Sequence, residues 1–169
     1  TGETGVGKGV AARFLHHNSR TRRDGPFEEI HITHYGDDVL AGLLFGAKKG
    51  AYTDAKTDIK GRLHMADKGV VFLDEIGDLG ERSQSMLLQF LNSKTIRPLG
   101  GDKDIPLDVQ IVAATNKNLR QEIAEGRFRL DLFQRLKVQP IEIAPLRERR
   151  EDIWVLLRHF FAMSDRELR

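Results

Sequence analysis

Apolar residues along this 169-residue chain change period repeatedly, and each change predicts an element. Val10–His17 has helical spacing, whereas Phe27–Ile32 alternates apolar and polar positions as a short half-buried strand does. Helical spacing returns over Asp37–Phe45, where Val39, Leu40, Leu43 and Leu44 share one face. A glycine- and lysine-containing loop follows, Gly46–Ala55, and then a short helix near Gly61–Ala66. Val70–Leu73 is apolar at every position and runs into two acids, the mark of a parallel strand buried on both faces. Glu81–Asn92 places Met86, Leu87, Phe90 and Leu91 at helical spacing, and Lys94–Val109, centred on Gly100 and Gly101, predicts a hairpin. Val109–Ala114 predicts a second buried strand, Leu119–Glu125 and Leu130–Leu136 two helices, Val138–Ile143 a further strand, and Asp152–Met163 an amphipathic helix. Strands and helices alternate, so the expected class is α/β, a parallel sheet with helices on both faces in three layers.

Composition narrows the partners. Hydrophobic residues make up 40% and charged residues 31%, enough for a packed core and too apolar for a disordered chain. Lys and Arg number 27 against 25 Asp and Glu, and a net charge of +2 argues against a protein that coats nucleic acid. The chain has no Cys, which excludes disulfides, Cys-ligated zinc and a thiol nucleophile. No apolar run reaches the roughly 18 residues of a membrane span and no signal peptide is visible, so a soluble cytoplasmic domain is expected.

The chemistry is concentrated at strand ends. Gly2-Glu3-Thr4-Gly5-Val6-Gly7-Lys8 fits the phosphate-loop pattern G-x-x-x-x-G-K. Its glycines let backbone N–H groups form a nest for phosphate oxygens, the following helix adds its positive end, and Lys8 supplies a mobile cation. Gly9 and Val10 complete the candidate nucleotide-binding set, with Gly at the position that usually carries a magnesium-binding hydroxyl. A glycine-rich turn before a helix has the same composition; the second motif decides between them. Val70-Val-Phe-Leu-Asp74-Glu75 ends a buried strand in two acids: Asp74 to hold Mg2+, directly or through water, and Glu75 to orient and deprotonate an attacking water. Thr115 and Asn116 close the next strand and could hold a γ-phosphate or that water, or cap the following helix. Arg129 and Arg135, near a helix, read either as surface charges or as fingers reaching a neighbouring subunit's nucleotide. Such a loop follows a strand, so the native chain is expected to begin upstream of Thr1.

Taken in order, these residues resemble the AAA+ ATPase domain of sigma-54-dependent transcription activators, the bacterial enhancer-binding proteins of the NtrC class. The resemblance runs through Leu44-Phe-Gly46, Lys49 to Ala55, Gly69 to Asp78, Val112 to Asn116, Pro145 to Arg149 and Glu151 to Ile153. It implies a P-loop NTPase of the AAA+ type that binds ATP and Mg2+, forms a ring, usually a hexamer, and remodels RNA polymerase bearing sigma-54 for promoter opening. It also implies a division into an α/β core over residues 1–145 and, over 146–169, a linker with the beginning of a helical lid. DNA contact would fall to a domain outside this chain. Gly50, Ala51, Tyr52, Thr53, Asp54 and Ala55 occupy the place of the family's Gly-Ala-Phe-Thr-Gly-Ala loop, which touches the sigma factor. Arg129 and Arg135 match the finger positions, Thr115 and Asn116 the sensor I region.

Departures from the family pattern keep two further readings open. Tyr52 replaces Phe and Asp54 replaces Gly in the partner loop, which points to an AAA+ ATPase acting on a different partner. Gly9 replaces Glu, and His31 replaces an Asn that commonly restrains the catalytic Glu; together they point to a nucleotide-binding regulatory module that does not hydrolyse. His31 would make that restraint sensitive to pH. His16-His17 and His31-x-x-His34 read as surface or strand residues rather than metal ligands, and the basic clusters Arg20–Arg23 and Arg147–Arg150 as solvated faces.

Overall fold

A computed structural model describes residues 1–51 and 57–167. In chain order the elements are α1 (Lys8–His17), β1 (Phe27–His31), α2 (Asp37–Phe45), β2 (Gly46–Ala47), β3 (Ile59–Lys60), α3 (Arg62–Met65), β4 (Val70–Asp74), α4 (Glu81–Ser93), β5 (Thr95–Ile96), β6 (Ile105–Pro106), β7 (Gln110–Ala113), α5 (Leu119–Ala124), α6 (Leu130–Leu136) and α7 (Asp152–Glu167). The three longest strands form a parallel sheet in the order β1-β4-β7. Its register sets Phe27 beside Val70 and His31 beside Asp74, and carries Leu73 against Ala113.

Strand alternation builds two cores. Ile30, Val71, Leu73, Ile111 and Ala113 point to one face, where α2, α4 and α6 add Leu40, Leu44, Phe45, Leu87, Phe90 and Leu132. Phe27, Phe72 and Val112 point to the other, where Ala12 of α1 meets Phe72 and Ala114. Helices therefore cover both faces of the sheet, as the apolar runs predict. The α1 layer is thin: its outer side leaves Val10 and Phe14 exposed, and α7 exposes Trp154, Phe160 and Phe161. No helix among the described residues is long and apolar enough to cross a membrane.

Helix α4 shows how one element orients another. Its N-cap, Gly80, has no side chain, and Asp37 at the start of α2 supplies the cap across space. The Asp37 carboxylate accepts hydrogen bonds from the backbone N–H groups of Arg82 and Ser83, each at 3.1 Å. A Cβ at position 80 would lie 2.6 Å from Asp37 Cβ, so the approach requires glycine there.

Three expectations need correction. Val138–Ile143 is not a strand. Ile143 N–H donates to Thr1 O at 2.9 Å and the Thr1 amino group to Ile141 O at 2.6 Å, but a ladder one residue long does not make a strand. Gly46–Ala55, expected as a plain loop, begins in β2, which pairs antiparallel with β3 at Ile59–Lys60 beyond it. Helix α7 runs on to Glu167 rather than stopping at Met163. The expected hairpin is present as β5–β6, its tip packing Gly100 against Ala51.

Candidate functional site

The carboxyl ends of β4 and β7 and the loop before α1 meet at one point. Gly5 (φ 83°) and Gly7 (φ 96°) lie in the left-handed region, which bends residues 4–7 into a concave turn opening into α1. Lys8, at the first position of α1, is 8% exposed. Its Nζ donates to Gly2 O at 3.2 Å and Glu3 O at 3.3 Å, and pairs with Glu75 Oε1 at 3.2 Å. Lys8 thus crosses from the glycine turn to the acidic end of β4, 67 positions along the chain.

Glu75 is held in a strained conformation. It has φ 58° and ψ 51°, a left-handed geometry costly for a residue with a side chain. Ile76 N–H donates to Ala114 O at 2.8 Å and ties the turn to the end of β7. The second Glu75 oxygen accepts from Asn116 N–H at 3.0 Å, while Asn116 Nδ2 donates to Thr4 Oγ1 at 2.8 Å. One asparagine therefore touches both the catalytic candidate and the glycine turn. Thr115 sits beside it but faces elsewhere: it is buried, its hydroxyl accepts from Lys117 N–H at 3.0 Å, and its carbonyl accepts from Gly2 N–H at 3.3 Å.

Asp74 lies at the edge of this cluster. One of its oxygens accepts from Glu75 N–H at 3.2 Å and the other is 3.2 Å from His31 Nδ1. His31 Nε2 is 3.6 Å from Glu29 Oε1, so the ring lies between Glu29 and Asp74. It was expected to restrain Glu75; the register that sets His31 opposite Asp74 places it on the other acid. Gly9 opens space here, since a Cβ at that position would be 3.3 Å from Glu29 Oε1, and Val10 points to solvent.

Two arginines missed in the sequence close the glycine turn from outside. Arg149 Nη2 donates to Val6 O at 2.7 Å and also pairs with Asp152 at the start of α7. Arg147 makes two hydrogen bonds to the Glu3 carboxylate, at 2.6 and 2.8 Å, which hold that carboxyl below its ordinary range. Expected to be a solvated basic face, these residues fasten the segment before α7 to the glycine turn. The signal that could have found them is the spacing of two arginines two positions apart just ahead of a helix, too common a pattern to read.

The remaining candidates lie away from this cluster. Arg129, the N-cap of α6, pairs with Asp131 at 2.7 Å, and Arg135, in the last turn of α6, is exposed. Neither bonds to Lys8, Asp74 or Glu75 among the described residues. Gly50 and Ala51 form a turn after β2, and Tyr52, Thr53, Asp54 and Ala55 lie outside the described residues.

A concave backbone turn, a buried ammonium and two carboxylates at the end of a parallel sheet form an arrangement suited to a polyphosphate and an activated water. The family model of the sigma-54 interaction domain matches residues 1–142. The DNA-binding transcriptional regulator NtrC of Rhizobium meliloti (strain 1021) is 46% identical over 167 residues, 99% of this chain and 34% of that protein. The DNA-binding transcriptional activator HyfR of Escherichia coli (strain K12) is 47% identical over 159 residues, 94% of this chain and 24% of that protein. The chain therefore spans about a third or less of the length of these relatives. The crystal structure of NtrX from Brucella abortus in complex with ATP matches with a TM-score of 0.86 and 34% identity, over 96% of this chain and 34% of that one. The P-loop NTPase domain of a sigma-54 transport activator from E. coli matches with a TM-score of 0.55 at 19% identity, over 86% of this chain and 80% of that one, and supports the fold alone.

Proposed function

The chain belongs to the sigma-54 interaction domain family, the domain of NtrC-type sigma-54 activators, and from that premise we propose that it is an ATPase that remodels sigma-54 RNA polymerase for promoter opening. The observation that carries the reading is the 3.2 Å contact between Lys8 Nζ and Glu75 Oε1 under the glycine turn. A triphosphate entering the turn meets the N–H groups of residues 5–8 and the end of α1. Its negative oxygens draw Lys8 away from Glu75, which is then free to accept a proton from water. Asn116 holds Glu75 from behind through its backbone N–H and registers the glycine turn through Thr4.

The complex of NtrX with ATP supports ATP as the nucleotide. The donor set also fits Mg2+: Asp74 offers a carboxylate beside the phosphate turn, and with no hydroxyl at position 9, water and phosphate oxygens would complete the shell. When bound, the ion neutralises charge on the phosphates. Arg129 and Arg135, which make no contact with their own chain's Lys8–Glu75 pair, would complete a neighbouring subunit's site in a ring, as in a hexamer. Residues 146–169 would be the linker and the beginning of the lid, held to the phosphate turn by Arg147 and Arg149. Gly50 to Ala55 would be the loop that engages sigma-54.

Purified intact protein should turn over ATP with Mg2+ and form a stable complex with sigma-54 in the presence of ADP–aluminium fluoride. Asp54 favours a second reading, an ATPase of the same family with another partner: robust turnover with no such complex and no promoter opening would establish it. Nucleotide binding without turnover would instead leave a regulatory module.

A further inference from the structure

Gln84 is 2% exposed, and its side-chain amide makes three hydrogen bonds that use both N–H donors and the carbonyl oxygen. Nε2 donates to Leu79 O and to Arg127 O, each at 2.8 Å, and Oε1 accepts from Arg129 N–H at 2.9 Å. Reversing the amide would aim the NH2 at an N–H and the oxygen at two carbonyls, so the orientation is determined by its partners. No isosteric side chain supplies two donors and one acceptor there: Met has none, and an ionised Glu has no donor.

The three partners belong to two functional segments. Leu79 closes the turn that Glu75 begins: Asp78 N–H donates to Glu75 O at 2.9 Å and Leu79 N–H to Ile76 O at 3.2 Å. Arg127 and Arg129 form the entry to α6, with Arg129 as its N-cap and Arg135 in its last turn. Phe128 and Leu132 bury apolar side chains beneath this entry, but apolar contact is non-directional and does not fix how the segment turns about its axis. The three hydrogen bonds of Gln84 do.

We propose that Gln84 is a positioning residue that locks the α6 entry to the Glu75 turn, so that Arg129 and Arg135 are aimed at a neighbouring subunit's nucleotide. The inference rests on the ATPase reading above. It implies that loss of Gln84 injures the neighbour's site and not its own.

The test uses the intact protein with Gln84→Met, and with Gln84→Glu as a second variant that keeps the acceptor for Arg129 N–H. The expected result for either is ATP affinity and KM within about twofold of the unmodified protein, with kcat lower by about ten- to a hundredfold, a part of what an arginine finger contributes. Mixing Gln84→Met subunits with Glu75→Gln subunits is the decisive arm. The second kind cannot hydrolyse but carries intact arginines, so turnover in the mixture should exceed the sum of the two alone. No gain on mixing, or a rise in KM with kcat unchanged, would overturn the proposal, as would failure of both variants to bind ATP, which would make Gln84 purely structural. If unmodified protein shows no turnover, the ATPase reading itself falls and this inference with it; a missing gain beside active unmodified protein sinks the inference alone.

Discussion

Glu75, the proposed general base, sits in a backbone shape that opposes its side chain. Glu75→Gln keeps size and backbone while removing the base, so ATP turnover should fall by about 10²–10⁴-fold with nucleotide binding retained, measured by steady-state hydrolysis beside a binding titration. The strain has its own test. Glu75→Gly and Glu75→Ala both lose the contact to Lys8, but only glycine adopts φ 58° without penalty, so chemical denaturation should find the Gly variant more stable by about 1 kcal/mol. Elsewhere, Arg127 bonds the Glu122 carboxylate at 2.6 and 2.9 Å and holds its pKa below the ordinary 4.5. A carboxyl lowered in the folded state stabilises above its unfolded pKa and loses that contribution as pH falls through the folded value. The stability deficit of Arg127→Met should therefore be present at pH 7 and shrink steadily below pH 4.5 in denaturation series. Much of the site was legible because glycine, lysine and paired acids at fixed spacing leave few alternatives for Lys8, Asp74 and Glu75. Gln84 and Arg149 were not: Gln84 reaches the backbone of Arg127 and Arg129, Arg149 reaches that of Val6, and a backbone group has no signature in the sequence.

Among the elements, the strands that build the sheet were legible where burial on both faces erased polar positions, as in Val70 to Leu73. Val138–Ile143 carries the alternating pattern of a strand, and its backbone pairs with Thr1, the first described residue, through Ile141 and Ile143. The β2–β3 pair was not legible, since two residues on each side carry no period. Helix α4 gave its apolar face plainly but hid its cap, which comes from Asp37 across space. Asp37→Ala should lower stability by about 1 kcal/mol, read from denaturant midpoints, because two helix N–H groups lose their acceptor.

For the whole molecule, the separation of Arg135 from the Lys8–Glu75 pair is the feature that matters. Arg135→Ala should bind ATP normally and turn over about a thousandfold more slowly. Its turnover should not recover on dilution, and normal turnover by a monomeric Arg135 variant would refute the reading in which subunits complete each other. The two faces of the sheet also differ in depth: among the described residues one buried cluster gathers eighteen apolar side chains and the other three, under α1. Local opening follows the number of buried contacts that must be broken. In deuterium, the amides of α1 should therefore exchange ahead of those of β4. Because α1 begins at Lys8, ATP would slow that exchange most: the substrate would act as a splint for the weaker wall of its own chamber.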